Sequence, residues 1–252
     1  MVTQPRPGRR AGLVRAVQAY ARQTHANREL IVVIDREPEE DRAQAEAAIA
    51  AVGAPAVSIV RAMPSLTLGA LRNLSVAHAS GDFICQWDDD DLHHPERIAA
   101  QYAALEQSGR DATILQEVML YQEAAGTLRW LNWAATPAGG HPGTLLCRRS
   151  AMPLYPETGP AARRGEDLAV VEVLRGRGAL HLQSGLPHLY LYAVHGTNTW
   201  PPEHLAMLGD TLAISRGLLL RREAALRAGL AAFDFGGAAV GVDGANGRAF
   251  TL

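Results

Sequence analysis

The sequence has little cysteine, no long apolar run and almost no net charge. Its two cysteines, Cys85 and Cys147, lie inside apolar segments, which argues against a disulfide framework and fits a reducing compartment. No stretch approaches the roughly 20 apolar residues of a membrane span, and we expect no signal peptide. We therefore expect a cytoplasmic protein, with peripheral contact at the inner face of the membrane as the other option.

The charge balance limits the partners. The chain carries 24 basic and 26 acidic residues, a formal net charge of −2, and no long basic run. Domains that bind nucleic acid usually carry a basic patch, so we do not expect nucleic acid as a partner. The hydrophobic content of 48% is ordinary for a globular protein and sufficient for a sizeable core. The length suits one α/β domain, or one domain with an appendage.

Four consecutive aspartates at residues 88–91, called the aspartate run below, organise the chain. A short apolar segment bounded by Gly81 precedes them and predicts a buried strand. Pro95 follows them and suits the first turn of a helix, and apolar residues then recur at helical spacing. The aspartate run is therefore expected at the carboxyl end of a strand, where open α/β sheets bind ligands.

Adjacent carboxylates repel one another, so an ordered protein tolerates them best when a cation neutralises them or when they face water. Hard oxygen ligands favour Mg²⁺, Mn²⁺ or Ca²⁺, and Mg²⁺ is typically held by one or two carboxylates together with substrate phosphates. The alternative interpretation is a solvated acidic turn. The position of the run between an apolar strand and a helix favours a cation site.

The residues around the aspartate run resemble the Asp-x-Asp region of family 2 glycosyltransferases. The shared pattern is Gly-Asp at residues 81–82, an apolar strand, the aspartates, and a helix that opens with Pro95. The likeness extends over residues 2–200. It implies an α/β protein with the GT-A fold, in which a Rossmann-like, mostly parallel sheet is flanked by helices. We expect a GT-A domain over residues 1–200 and a helical, Gly- and Ala-rich extension of unknown role over residues 201–252.

The resemblance also implies that the first strand is truncated. In the family, several more apolar residues precede the position of Thr3, whereas this chain starts almost at the end of the strand. One hypothesis is that the true start codon lies upstream, and intact-mass analysis of the protein from its native host tests it. By resemblance, Thr3 helps to hold the nucleotide base, and Asp35, at the end of an apolar strand, accepts a hydrogen bond from that base. Asp35 is alternatively a helix or turn cap.

The spacing of apolar residues in the rest of the chain predicts alternating helices and strands. We predict helices over residues 13–20, 37–52, 69–78 and 203–227, and strands over residues 31–35, 57–60, 113–121, 128–133 and 189–194.

The resemblance assigns donor-binding roles. Arg72 lies near a predicted helix N-terminus and would contact the diphosphate, although it is alternatively a surface residue. Asp88 and Asp89 would lie at the ribose or at metal-bound water. Asp90 is the first choice of metal ligand, with Asp88 as a further one, and Asp91 would orient the acceptor or arginine side chains.

Two further motifs lie in the second half of the chain. Gly-Glu-Asp at residues 165–167 matches a family motif whose aspartate is the general base, so Asp167 is the candidate base; acidic residues at a helix start are alternatively ordinary caps. His195 begins a His-Gly-x-Asn-Thr sequence, and in related enzymes this histidine completes the metal site. A neutral imidazole is able to bind Mn²⁺; a hydrogen-bonding loop histidine is the alternative.

Together these motifs imply an inverting glycosyltransferase that depends on Mn²⁺ or Mg²⁺. It would move a sugar from a nucleotide-diphosphate sugar to an acceptor hydroxyl on a glycan, a lipid-linked sugar or a small molecule. A divalent cation stabilises the charge that develops on the leaving diphosphate. Two alternatives remain open. One is a carbohydrate- or cation-binding protein without turnover. The other is a sugar nucleotidyltransferase, which needs a Gly-rich loop near the N-terminus, whereas residues 4–10 contain one glycine.

Overall fold

The computed structural model describes residues 1–4, 6–35, 38–63 and 65–252. The α-helices of these ranges are α1 (Arg10–Ala21), α2 (Glu39–Val52), α3 (Leu68–His78), α4 (Arg97–Ser108), α5 (Glu166–Gly176), α6 (Pro202–Leu212), α7 (Arg216–Arg221) and α8 (Glu223–Leu230). The strands are β1 (Val2–Thr3), β2 (Leu30–Ile34), β3 (Val57–Arg61), β4 (Phe83–Cys85), β5 (Leu92–His93), β6 (Ala112–Leu115), β7 (Glu117–Gln122), β8 (Thr127–Asn132), β9 (Leu146–Arg148), β10 (Leu180–Gln183), β11 (Tyr190–Val194), β12 (Gly241–Gly244) and β13 (Gly247–Thr251). The predicted start of α2 at Glu37 lies outside the described residues.

The first sheet is parallel and has the strand order β1-β2-β3. All five residues of β2 are buried, as expected for a continuous apolar strand in a parallel sheet that is covered on both faces. Strand β1 has two residues and pairs Thr3 with Ile34, so the first strand is as short as the sequence predicts. Because β1 and β2 run in the same direction, Thr3 and Asp35 lie at the same edge of the sheet.

Two further sheets mix strand directions. One has the order β10-β6-β9-β4, and the other has the order β13-β12-β8-β7-β11-β5. Strand β9 runs antiparallel to both of its neighbours, and β5 runs antiparallel to β11. The parallel pairing expected for the whole sheet therefore holds throughout the first sheet and for part of the others.

The single strand predicted over residues 113–121 is two strands in different sheets. Strand β6 pairs with β9 and β10, whereas β7 pairs with β8 and β11. Gln116 lies between them: its N–H donates to Gln183 O at 2.8 Å, and its carbonyl accepts from Trp133 N at 2.9 Å. These two bonds satisfy the backbone where the chain passes from one sheet to the next. In the sequence the change is marked only by the polar pair Gln116 and Glu117 between two apolar segments.

The surroundings of the aspartate run also differ from the prediction. Strand β4 is half-buried instead of buried because it is the edge strand of its sheet. A short strand, β5, follows the run and pairs with β11. Helix α4 therefore begins at Arg97, two residues after the predicted Pro95.

Residues beyond 200 add to the largest sheet. Strands β12 and β13 form an antiparallel hairpin, and β12 pairs in parallel with β8. Side chains of this region, including Leu226, Val242 and Phe250, are buried in one cluster with Met119 and Leu191 of the central strands. The extension, predicted to be helical and of unknown role, thus also contributes two strands to a sheet and side chains to its core, and the domain division at residue 200 stays a prediction.

The first sheet and the aspartate run share a core. Trp87, the residue directly before the run, is 3% exposed and packs in one cluster with Leu13, Val17 and Ile34. Its ring Nε1 donates to the carbonyl of Ala16 at 3.1 Å. Helix α1 therefore fixes the backbone from which the aspartates extend. None of the helices in the described ranges has the length and apolar character needed to cross a bilayer.

Candidate active site

The aspartate run lies between β4 and β5, and its carboxylates point into the protein. Asp89 and Asp91 are 4% and 5% exposed, and Asp88 and Asp90 are half-buried. Each of the four carboxylates has a partner from a distant part of the chain. The arrangement is therefore not the solvated acidic turn that was the alternative interpretation.

Asp88 is held by an arginine. Arg72 Nη2 donates to Asp88 Oδ1 at 3.0 Å, and Arg72 Nε donates to Glu166 Oε1 at 2.8 Å. Gln86 Nε2 approaches the other Asp88 oxygen at 3.3 Å. Burial raises the pKa of Asp88, but the Arg72 charge and these hydrogen bonds outweigh burial and leave the pKa below its usual value. Arg72, which was expected at a diphosphate, here bridges two carboxylates; contact with a diphosphate stays a prediction.

Asp89 lies against the carboxyl end of β1. Thr3 Oγ1 donates to Asp89 Oδ2 at 2.5 Å, and Arg9 Nη2 donates to Asp89 Oδ1 at 2.8 Å. Burial, together with the neighbouring Asp90 charge, raises the pKa of Asp89 to about 6. Asp35, at the end of β2, is 6% exposed and accepts from Gln4 Nε2 at 2.9 Å. The two residues predicted to hold the nucleotide base therefore lie at one sheet edge with Asp89 beside them.

Asp90 meets the predicted histidine. Asp90 Oδ2 lies 3.2 Å from His195 Nε2 and accepts from Arg9 Nη2 at 2.8 Å. The loop after β11 orients the histidine: its backbone N–H donates to Asn198 Oδ1 at 3.0 Å, and its Nδ1 lies 2.9 Å from the Thr197 hydroxyl. Residues that are 105 positions apart in the sequence thus lie in contact; their role as metal ligands stays a prediction.

Asp91 is a buried structural group. Its carboxylate accepts from the Tyr190 hydroxyl and, at 2.8 Å, from the Ala193 backbone N–H. Burial and the charges of Asp90 and Asp88 raise the pKa of Asp91 well above its usual value. The carboxylate therefore ties the aspartate run to β11, and no arginine is among its described partners; orientation of the acceptor stays a prediction.

Asp167 lies in the first turn of α5. Gly165, with φ +83°, adopts a left-handed conformation that only glycine accepts readily, and it starts the helix. Asp167 is half-buried, and its Oδ1 accepts from the Leu168 N–H at 2.7 Å. Burial, followed by the charge of neighbouring Glu166, raises the pKa of Asp167 to about 6. Its neighbour Glu166 is linked through Arg72 to Asp88 of the aspartate run.

A family model described as glycosyl transferase family 2 matches residues 8–152, which is more than half of the chain. The chain belongs to glycosyl transferase family 2. The matched region contains Arg72 and the aspartate run, and it ends before Asp167 and His195. In the structure His195 contacts Asp90, and Glu166, the neighbour of Asp167, is joined to Asp88 through Arg72. A sequence comparison with curated proteins found no match.

Two of the solved structures with a similar fold are glycosyltransferases. The S. aureus protein TarS (residues 1–349) superposes with a TM-score of 0.56 at 13% identity, over 90% of this chain and 72% of that one. Glucosyl-3-phosphoglycerate synthase from Mycobacterium tuberculosis gives a TM-score of 0.52 at 16% identity, over 95% and 82% of the two chains. At such identities the similarity concerns the fold, which is the GT-A fold.

Two of the three metal ligands expected for this family 2 glycosyltransferase, Asp90 and His195, lie close enough to share a divalent cation. Among the described residues, no group of three or more His, Cys, Asp or Glu side chains is arranged to hold a metal. The expected trio is thus not assembled: Asp88 pairs with Arg72, and Asp90 contacts His195. One carboxylate and one imidazole suit an ion that takes its remaining ligands from water and from phosphate oxygens.

Sequence reasoning missed three residues that build the site of this glycosyltransferase. Arg9 contacts two aspartates, and Tyr190 contacts a third. Arg97 is fully buried between the rings of Trp87 and Tyr190, 5.3 and 5.0 Å from their centroids. Local sequence does not distinguish Arg9 from a surface arginine. Arg97 follows Pro95 in the motif that carries the resemblance, but no role was assigned to it there.

Proposed function

We propose that this family 2 glycosyltransferase moves a sugar from a nucleotide-diphosphate sugar to an acceptor hydroxyl, with inversion and with a divalent cation bound at Asp90 and His195. The observation that carries the proposal is the 3.2 Å contact between Asp90 Oδ2 and His195 Nε2. This contact lies in an acidic site that also includes Asp88, which Arg72 joins to Glu166, the neighbour of the candidate base Asp167.

Asp167 is the group that would activate the acceptor. The Leu168 N–H donates to Oδ1 of this carboxylate, and no described residue donates to its Oδ2. As the acceptor oxygen bonds to the anomeric carbon, its proton passes to Asp167 and the bond from that carbon to the diphosphate oxygen breaks. The electron pair leaves with the nucleoside diphosphate. One such displacement with the base opposite the leaving group inverts the anomeric centre.

The donor would lie along the edge formed by Thr3, Asp35 and the aspartate run. Thr3 and Asp89 are already joined, and Asp35 lies at the end of the neighbouring strand. When bound, Mn²⁺ or Mg²⁺ supplies Lewis-acid stabilisation of the charge on the departing diphosphate. TarS has been solved with UDP and with UDP-GlcNAc, and the mycobacterial synthase with Mn²⁺ and UDP. These complexes support a uridine donor as the first to test.

The first prediction concerns pH. A general base acts only when ionised, and burial followed by the Glu166 charge places the pKa of Asp167 at about 6. Turnover should therefore be constant above about pH 7, fall as pH drops through 6, and be about tenfold lower at pH 5. Initial rates from pH 5 to 8.5 at saturating donor and Mn²⁺ measure this profile. A rate that rises as pH falls below 6 would contradict the assignment of Asp167 as base.

The second prediction concerns Asp90. Asp90→Asn removes one charge from the candidate metal pair, and we expect Mn²⁺-dependent release of nucleoside diphosphate to fall about a hundredfold or more. The matched control is Asp210→Asn. Asp210 lies on α6, is exposed and pairs with Arg129 of β8. Its activity should stay within about twofold of the unchanged protein.

The product separates the competing functions. A panel of UDP, GDP and dTDP sugars is incubated with the protein, with and without Mn²⁺ and EDTA. Nucleoside diphosphate that disappears with EDTA supports the transferase. Pyrophosphate release indicates a sugar nucleotidyltransferase, and donor binding without any product indicates a binding protein. The last two results would each overturn the proposed reaction.

A further inference from the structure

Arg9 is the cation that faces the central aspartates. Its Nη2 atom lies 2.8 Å from Asp89 Oδ1 and 2.8 Å from Asp90 Oδ2. Arg9 is the last residue of a short 3₁₀ turn, Pro7–Arg9, directly before α1. The guanidinium therefore bridges two carboxylates that would otherwise repel each other.

The other two carboxylates of the run do not depend on Arg9. Asp88 is neutralised by Arg72 at 3.0 Å, and Asp91 is held by Tyr190 and the Ala193 N–H. Among the ion pairs of the described residues, Arg9 is the sole arginine on Asp89 and Asp90. The charge state of this pair thus depends on one side chain.

Arg9 and His195 share one oxygen atom. Asp90 Oδ2 accepts the Arg9 bond at 2.8 Å and faces His195 Nε2 at 3.2 Å. A divalent ion held by this carboxylate and this imidazole would compete with Arg9 for the charge of Asp90. A guanidinium and a divalent ion on one carboxylate oxygen repel each other. The two cations therefore cannot both be bound strongly at Asp90.

We propose that Arg9 is an internal competitor of the divalent cation, so that metal loading requires Arg9 to leave Asp90 and Arg9 sets the metal affinity of the site. The inference rests on the proposed metal role of Asp90. The Arg9 side chain is partly exposed, at 21%, and its turn lies outside the sheets, so its withdrawal from Asp90 would not separate paired strands. Arg9 would thus act on the metal indirectly, through its contact with Asp90, and would not be a metal ligand.

The test is Mn²⁺ binding by the metal-free full-length chain without any substrate. MnCl₂ is titrated into the protein, and the electron paramagnetic resonance signal of free Mn²⁺ gives the Kd. We expect Arg9→Gln to bind Mn²⁺ about tenfold more tightly than the unchanged protein, a change of about 1.4 kcal/mol. Adding Asp90→Asn to Arg9→Gln should remove the gain.

Arg10→Gln is the matched control. Arg10 is the next residue, is exposed and donates to Gln44 on α2, so the control removes the same charge from the same segment without touching an aspartate. Its Kd should stay within about twofold of the unchanged protein. Arg9→Lys keeps the charge but loses the planar fork, and its Kd should lie between those of Arg9→Gln and the unchanged protein. It replaces Arg9→Gln as the test variant if that variant does not fold.

Two results would overturn the inference: a Kd for Arg9→Gln that is unchanged or higher, or a gain of equal size in Arg10→Gln. Failure of the proposed function is a separate outcome. Tighter Mn²⁺ binding in Arg9→Gln with no sugar transfer by any variant would retain the competition and reject the transferase. Sugar transfer with no effect of Arg9 on Mn²⁺ binding would do the reverse.

Discussion

Asp167→Asn is expected to lower the rate of sugar transfer by about 10² to 10⁴, the usual contribution of a positioned general base. Asparagine keeps the shape of the side chain and its acceptor oxygen for the Leu168 N–H, but it cannot take the acceptor proton. Because Asp167 lies on α5 and not among the partners of Asp90, Mn²⁺ affinity and donor KM should change by less than about threefold. Single-turnover transfer rates and Mn²⁺ titrations measure the two quantities.

The stability of the same variant distinguishes catalysis from folding. The pKa of Asp167 in the folded protein, about 6, is above its ordinary value of 3.8. The contribution of this group to stability is therefore complete below pH 3.8 and is lost as pH rises through 6. At pH 7.5 Asp167→Asn should be at least as stable as the unchanged protein. Glu172→Gln, at an exposed position of the same helix, is the control with normal turnover. A slow Asp167→Asn that is also unfolded, or equal losses in both variants, would contradict the base assignment.

The elements that local sequence determines were predictable. The apolar segment that forms β2 is buried along its whole length, and the short β1 ends at Thr3 as the sequence indicated. In these cases the pattern and the spacing carry the information, because each strand depends on a few adjacent residues. The contact of Asp90 with His195 is different, because the two residues are 105 positions apart; only the family resemblance suggested that both belong to one site, and their role as metal ligands stays a prediction.

The partners of the remaining carboxylates were not predictable because they come from distant segments. Thr3 and Asp89 are 86 residues apart, Arg72 and Glu166 are 94 apart, and Asp91 and Tyr190 are 99 apart. No local pattern specifies such pairs. For this reason the sequence did not predict the partner of Asp88. Its place in the motif suggested a metal ligand, whereas in the structure its carboxylate pairs with an arginine of α3.

The C-terminal hairpin shows the same limit for the fold. Strands β12 and β13 contain Gly241, Gly244 and Gly247, and glycine is depleted in strands. The pairing of β12 with β8 supplies the backbone bonds that local propensity does not favour. Glycine is required here by close packing: a Cβ at Gly244 would lie 2.5 Å from the Arg216 backbone N. Tertiary contact therefore decides this segment against its propensity.

Arg97 connects the site to the core, and its contacts make it sensitive to substitution. It is 0% exposed, and its guanidinium donates to Gln101 Oε1 at 3.1 Å, to His93 Nδ1 at 2.6 Å and to Gln86 O at 3.0 Å. Because Arg97 donates to Nδ1, the proton of neutral His93 is on Nε2, which donates to Asp88 O at 3.2 Å. Burial, followed by the charge of Arg97, lowers the pKa of His93 well below its usual value and keeps the ring neutral.

Arg97→Met is therefore expected to destabilise the protein by about 2 to 5 kcal/mol, because each buried acceptor left without its donor costs about 1 to 3 kcal/mol. The substitution leaves the His93 nitrogen and the Gln86 carbonyl without their donor, and it removes the cation between Trp87 and Tyr190. Urea unfolding followed by tryptophan fluorescence gives the free energy of unfolding.

The control is Arg148→Met, because Arg148 is 37% exposed and pairs with half-exposed Glu106; such surface pairs contribute about 1 kcal/mol or less. If Arg97→Met fails to fold, Arg97→Lys keeps the charge, loses part of the fork and should retain a measurable but reduced stability. A loss in Arg97→Met no larger than that in Arg148→Met would show that the aspartate run does not depend on Arg97. A larger loss of unfolding free energy in Arg97→Met would instead mean that a buried cation, and not the strands alone, stabilises the aspartate run.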